Sequence, residues 1–176
     1  LSLADSDPQN LEWAEQSARQ AVLHDFTNPQ NWRTLVQVKL ATGDDSGIRA
    51  VLNELFTILG RDPEALSQLD GVSMIESGSA ILEASLKADS LDPDEWWESV
   101  SQSDDALVEF IERVINLDLS DQRANLLFSR RLERVRDMGM EEQYLKLSRV
   151  LLAQRPSNHE AWAELGRMHE RRGEYE

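Results

Sequence analysis

The chain contains no cysteine, so a disulfide framework, thiolate-held zinc, an iron–sulfur cluster and a cysteine nucleophile are all excluded. Whatever holds the fold together is packing. Positive charge is scarce too: 18 Lys and Arg stand against 33 Asp and Glu, a formal net charge of -15 over 176 residues. A body this acidic repels a phosphate backbone, and no long basic tract offsets the repulsion. Nucleic-acid binding and attachment to an anionic membrane are therefore disfavoured classes. No apolar run approaches the ~18 residues that cross a bilayer, and the first residues have neither the basic flank nor the apolar stretch of a signal peptide. The expectation is a soluble, cytoplasmic chain. Phosphate cradles and nucleophile elbows lack their signatures, since G-x-G-x-x-G, G-x-x-x-x-G-K and G-x-S-x-G do not occur.

What is present is globular: hydrophobic residues make up 40% and charged residues 29%, too apolar for a disordered acidic tail. Leu1 in place of Met, and a closing run Arg172-Gly173-Glu174-Tyr175-Glu176 that reads as the turn into another helix, predict an excised piece of a longer protein.

The prolines carry the organisation. Asp7-Pro8, Asn28-Pro29, Asp62-Pro63 and Asp92-Pro93 each read as a helix start. The Asx side chain accepts from an orphan first-turn amide, and proline lacks an amide to leave unsatisfied. Pro156-Ser157-Asn158 places Ser or Asn to cap the next helix. Between these signals apolar residues recur at steps of three and four, as in Trp13, Ala14, Ser17, Ala21 and Phe26, or Trp32, Leu35, Val36, Lys39 and Leu40. The spacing predicts helices over 8–26, 29–42, 46–60, 63–70, 73–89, 93–101, 104–117, 121–138, 141–154 and 158–172. The short loops hold Gly43, Gly47, Gly60, Gly71 and Gly139, so successive helices should pack as antiparallel hairpins.

A large apolar anchor recurs early in the first helix of each pair: Trp32, Leu66, Trp96, Phe128 and Trp162, at spacings of 34, 30, 32 and 34. A period in the low thirties built from helix pairs signals an all-α solenoid whose pairs bury one face by stacking. Trp162, Leu165, Gly166 and His169, followed by Gly173 and Tyr175, match the tetratricopeptide-repeat (TPR) pattern W-x2-L-G-x2-Y, with His for Tyr. Phe128, Val135, Gly139, Tyr144 and Pro156 hold the same frame, with Arg131 and Leu132 replacing Leu and Gly. Trp32, Leu35, Gly43, Ile48 and Leu52 form a degenerate copy, departing at Val36 and Lys39, and Ala106 and Phe110 supply one A-x3-F. Leu66 to Leu86 is the weakest unit. The chain thus resembles the TPR family over most of its length, and its Trp32 unit resembles the half-a-TPR repeats of RNA-processing scaffolds almost as well.

The resemblance implies a right-handed solenoid of about ten helices, one domain over 1–176, with units near 8–26 (partial), 29–60, 63–90, 93–119, 121–156 and 158–176 (partial). Gly166 and Ala161 should let helices approach closely while Trp162 and Leu165 fill the groove, so that Trp162→Ala costs about 3–5 kcal/mol. The resemblance also implies a non-enzymatic scaffold whose first helices line a groove for an extended peptide or helix. Arg33, Gln37, Trp97, Ser129, Glu133, Arg136, Arg167 and Arg171 fall on the groove positions. A clamp on a C-terminal carboxylate needs convergent cations, and Glu64, Ser67, Glu160 and Glu164 stand where it needs them. The alternatives are a regulatory or substrate-recruiting module of a larger enzyme and an RNA-processing-type scaffold. Self-association through the incomplete terminal hairpin is a further option.

No cofactor or metal set emerges. His159-Glu160 opens like H-E-x-x-H, but Ala163 takes the second histidine's place. Asp89, Asp92, Asp94 and Glu95 lack the glycine of a calcium loop and read as a capped helix start. Of Trp96 and Trp97, neighbours about 100° apart on a helix, Trp96 has the anchor spacing. Trp97 either packs against an adjacent unit or anchors a partner. Charge is polarised: residues 1–112 hold 22 acids and 6 bases, net -16, and residues 113–176 hold 11 and 12, net +1. Arg130, Arg131, Arg134 and Arg136, with Arg167, Arg171 and Arg172, either pair with Glu133, Asp137, Glu164, Glu170 and Glu174 at helical spacing or contact an acidic peptide or nucleic acid.

Overall fold

Side-chain oxygens of Asp7, Asn28, Asp44, Ser73, Ser103, Asp121 and Asn158 accept from amides in the first turn of the helices they precede, which explains where most of the helices begin. The computed structural model describes residues 7–174 apart from Pro63. These residues form ten helices and no strand: α1 (Pro8–His24), α2 (Pro29–Ala41), α3 (Asp45–Ile58), α4 (Glu64–Ser67), α5 (Met74–Ala88), α6 (Pro93–Val100), α7 (Asp104–Asn116), α8 (Gln122–Asp137), α9 (Glu141–Gln154) and α10 (His159–Arg172). The start expected at Pro63 lies outside the described residues, as does Tyr175 of the expected closing turn. Asp62 still accepts from the Glu64 amide at 2.9 Å. Gly43 (φ 66°) and Gly139 (φ 86°) end α2 and α8 in the left-handed region that glycine adopts without strain. Gly47, expected in a loop, belongs to the first turn of α3. A Cβ there would lie 2.0 Å from Oδ2 of Asp44, whose side chain caps the turn.

The chain divides into two compact units, Leu1–Asp92 and Pro93–Glu176. In the first, α2 packs on α1, α3 and α5, and α3 packs on α5. Trp32 is fully buried, and its indole donates to the Phe26 carbonyl at 2.7 Å. At Gly78 of α5 a Cβ would meet Ile48 Cγ2 at 2.5 Å, so glycine permits the close approach to α3. The expected helix over 63–70 shortens to the single turn α4. The carbonyls of Leu66 in α4 and of Leu69 just after it accept from the Arg49 guanidinium, each at 3.1 Å. Asp45, next along α3's first turn, accepts from the Met74 and Ile75 amides and so caps α5 from outside. Lys39, expected on the apolar stripe, is buried there, with its ammonium donating to Glu15 (2.6 Å) and Asp44 (2.8 Å). Burial alone would depress its pKa, but the hydrogen bonds it donates to Asp44 and Glu15 outweigh it and hold the group above the ordinary lysine value.

In the second unit α8 packs on α6, α9 and α10, and α9 packs on α7, α8 and α10. The rings of Trp96 and Phe110 lie 4.6 Å apart, and Phe110 stacks on Phe128 at 6.0 Å. Arg131, which occupies a leucine position of the resembled pattern, is buried. Its guanidinium sits 5.1 Å from the Trp96 ring and 5.0 Å from the Phe128 ring, a cation–π arrangement in a desolvated place. A polar seam runs through the same core. Buried Asn125 donates to the Leu119 (2.8 Å) and Leu151 (2.9 Å) carbonyls. Asn158 donates to Asn125 Oδ1 (2.7 Å) and Ser129 Oγ (2.9 Å) while accepting from the Ala161 amide. The seam therefore ties the start of α10 to α8 and α9, with its side-chain amides and hydroxyl partnered.

Two expected core tryptophans are not core. Trp13 is 72% exposed, because α1 turns Ala18 and Val22 inward instead. Trp162 is 50% exposed: among the described residues α10 packs mainly on α8 and α9, whereas α2 packs on α1, α3 and α5 around Trp32. Nor does Gly166 mediate a close approach, since a Cβ there would meet nothing within 4 Å. Ala161 is buried as expected.

Candidate partner-binding face

The eight groove positions fall on four helices. On α2, Gln37 is exposed, and Arg33 reaches Glu83 of α5 in a bidentate pair at 2.7 and 3.0 Å. That contact raises the Arg33 pKa and lowers that of Glu83. Arg33 is thus engaged within the first unit, and Gln37 is the position left open.

The other six belong to the second unit. Trp97 on α6 is half-buried against the unit's own core, with its ring 6.0 Å from that of Trp96; packing, not display, accounts for most of its surface. Ser129 is buried in the polar seam, where its hydroxyl donates to the Asn125 carbonyl at 2.9 Å and accepts from Asn158. It offers nothing to a partner, so its assignment to the groove is corrected. The one-residue offset between Ser129 and Arg130 moves the exposed face by about 100°.

Arg136 donates to Glu164 of α10 and to Asp137, its guanidinium 5.3 Å from the Tyr144 ring. Burial opposes its charge, but the hydrogen bonds of Asp137 and Glu164 prevail and raise its pKa. Arg167 is exposed and shares Glu164. Arg171 is exposed and donates weakly to the Arg167 carbonyl at 3.4 Å. Glu133, half-buried on α8 between these groups, forms no hydrogen bond or ion pair among the described residues. Burial raises its pKa first, the nearby Glu164 carboxylate adds to the rise, and Arg136 only partly offsets it.

Arg130, Arg134 and Arg136 of α8 are paired with carboxylates, but mostly across helices and not at helical spacing. Arg134 reaches Asp94 of α6 at 2.6 Å, and Arg130 reaches Glu160 of α10 at 3.0 Å. Arg172 reaches Glu142 at 2.9 Å. Among the expected acids, Asp137, Glu164 and Glu174 take part, while Asp94, Glu160 and Glu142 are additions that no local spacing announces. The face of α6, α8 and α10 is laced together by charge, which leaves few free cations for an acidic ligand.

The incomplete terminal hairpin carries an apolar cleft of about 580 Å³ at the α9–α10 edge, where Leu152, Pro156, Trp162 and Leu165 are joined by Arg149 and His169. No group of three or more metal-ligating side chains occurs among the described residues, and no helix among them is long and apolar enough to cross a membrane. No family model matches the chain, and neither a curated protein nor a solved structure matches it.

Proposed function

We propose that the chain is a non-enzymatic, TPR-like helical-repeat scaffold of the cytoplasm that holds a peptide or helix of a protein partner along its first helices. The observation that carries this reading is the face of the second unit. The first helices α6, α8 and α10 are fastened to one another by Asp94–Arg134, Arg130–Glu160 and Arg136–Glu164 pairs, and the Glu133 carboxylate between them is committed to none of these pairs. A rigid face with one half-desolvated carboxylate suits a partner that supplies a cation, because the pair then forms where water screens it least. The lacing by ion pairs equally argues against a nucleic-acid ligand, which would need those arginines released.

Selection of short peptides from a displayed random library against the purified chain tests the reading. Binders enriched in Lys or Arg beside apolar residues are expected, with affinity lost in Glu133→Lys. Peptides that bind Glu133→Lys and the parent equally would refute it.

A further inference from the structure

The face of α8 that carries Glu133 continues toward the start of the helix. Gln122, Leu126 and Glu133 follow one another at steps of four and seven residues, which place all three on one side of α8. At the Gln122 end of that side a pocket of about 220 Å³ opens between the starts of α8 and α10, lined by Gln122, Leu126, Arg155, Ser157, His159 and Glu160. Glu160 belongs to both places, since it lines the pocket and its charge acts on Glu133.

The charges of the pocket are unevenly spent. Glu160 is taken by Arg130, with contacts at 3.0 and 3.5 Å. Half-buried Arg155 donates to the Ser120 carbonyl at 2.9 Å but forms no ion pair among the described residues, so its charge is uncompensated. The exposed His159 imidazole has no partner among them either, and Gln122 and Ser157 add an amide and a hydroxyl able to donate. Residues 113–176 carry net +1, so this end of the chain does not repel an anion as residues 1–112, net -16, would.

Size and charge decide what enters. At about 220 Å³ the pocket is smaller than the roughly 300–1,000 Å³ of small-molecule sites and suits one side chain. A single guanidinium matches the one charge of a carboxylate, whereas phosphate recognition calls for a cluster of arginines. Leu126 and Glu133 are about 10 Å apart along α8 at ~1.5 Å per residue. An extended chain rising about 3.1–3.4 Å per residue covers that span in three residues and reaches deeper into the pocket in four.

We propose that this pocket takes an Asp or Glu side chain of the same peptide whose Lys or Arg meets Glu133, so that the ligand carries a carboxylate three or four residues from its cation. This second anchor rests on the peptide-binding reading of Glu133 and adds a spacing to it.

Isothermal titration calorimetry tests it, with synthetic peptides capped at both ends so that no terminal charge competes. One peptide carries a single Lys; the others add one Glu beside the Lys, three or four residues from it, or seven residues from it, on either side. Glu at three or four residues, on one of the two sides, should tighten binding at least about fivefold over Lys alone. Glu beside the Lys or seven residues away should add no such gain. Arg155→Gln keeps a donor for the Ser120 carbonyl while removing the charge. His159→Glu is an exposed change that puts an anion where the helix dipole favours it, so the fold is kept. Each should abolish the gain and leave the Lys-only peptide bound. Absence of a gain from Glu, a gain equal at every spacing, or one that survives in both variants would overturn the second anchor and leave the reading of Glu133 standing. Lys-only binding that Glu133→Lys does not weaken, or no binding by any of these peptides, would overturn that reading and the second anchor with it.

Discussion

In the first unit the hairpin α1–α2 is locked by shape: Trp32 is enclosed completely, and its one polar atom is spent on the linker carbonyl. In the second unit the start of α10 is locked by hydrogen bonds, through the buried seam of Asn125, Ser129 and Asn158, while Trp162 makes the corresponding linker bond from a half-exposed position. An identical local bond thus accompanies two different sources of stability. Dispersion and burial tolerate small shifts and are lost roughly in proportion to volume removed, whereas a hydrogen-bonded seam fails stepwise when one member leaves the others desolvated and unpaired.

The largest difference should come from the two tryptophans. Trp32→Ala is expected to destabilise the first unit by about 3–5 kcal/mol, and Trp162→Ala to cost about 1–2 kcal/mol, because half of its surface is already in water. Urea unfolding with hydrogen exchange to localise the loss measures both. Equal costs would mean that the shared indole–carbonyl bond, not enclosure, is what matters.

Next in size is the seam. Asn125→Leu removes donors from the Leu119 and Leu151 carbonyls and the acceptor of the Asn158 amide, for a loss of about 2–4 kcal/mol. Exchange protection should fall in α8, α9 and α10 and persist in α1, α2 and α3. A loss spread evenly over both units would show that the two are not stabilised separately.

These contrasts mark where the sequence was readable. Helix starts were legible at Pro8, Pro29 and Pro93 because Asx-Pro acts through local geometry alone. Trp32, Leu66, Trp96 and Phe128 were legible as anchors because periodicity reports which face is apolar. Periodicity does not report whether a neighbouring helix covers that face, so Trp13 and Trp162 were misplaced. The pairs Arg33–Glu83 and Arg134–Asp94 join residues 50 and 40 apart, beyond any local rule. Asn125 and Ser129 gave no warning of a seam, since a polar residue on an apolar face reads as surface.

Lys39 sharpens the comparison from the charged side, since the first unit buries its cation beside two carboxylates. Lys39→Ala should cost about 1–2 kcal/mol near neutrality, between the values for surface and buried pairs. The hydrogen bond from Lys39, then that from the Gly47 amide, lowers the Asp44 pKa. Its contribution is therefore present above the ordinary aspartate value and is lost as pH falls through the lowered one. The gap between parent and variant, followed by thermal unfolding, should narrow below about pH 4. A gap that held constant into acid would assign the cost to lost packing of the lysine stem.

The smallest effect has the opposite sign. Glu133 in the second unit is crowded by burial and by Glu164 and Glu160 of α10, against Arg134 and Arg136 on its own helix, and the balance raises its pKa. A carboxyl raised in the folded state penalises folding while ionised. That penalty is complete above the raised value and disappears below the ordinary glutamate value. Glu133→Gln should therefore raise the melting temperature by roughly 1–2 °C at neutral pH and leave it unchanged near about pH 3.5. The same substitution should weaken capture of basic peptides, so stability and binding move in opposite directions. A carboxylate kept only for structure would lose no binding, and one well paired in the free protein would gain no stability on replacement.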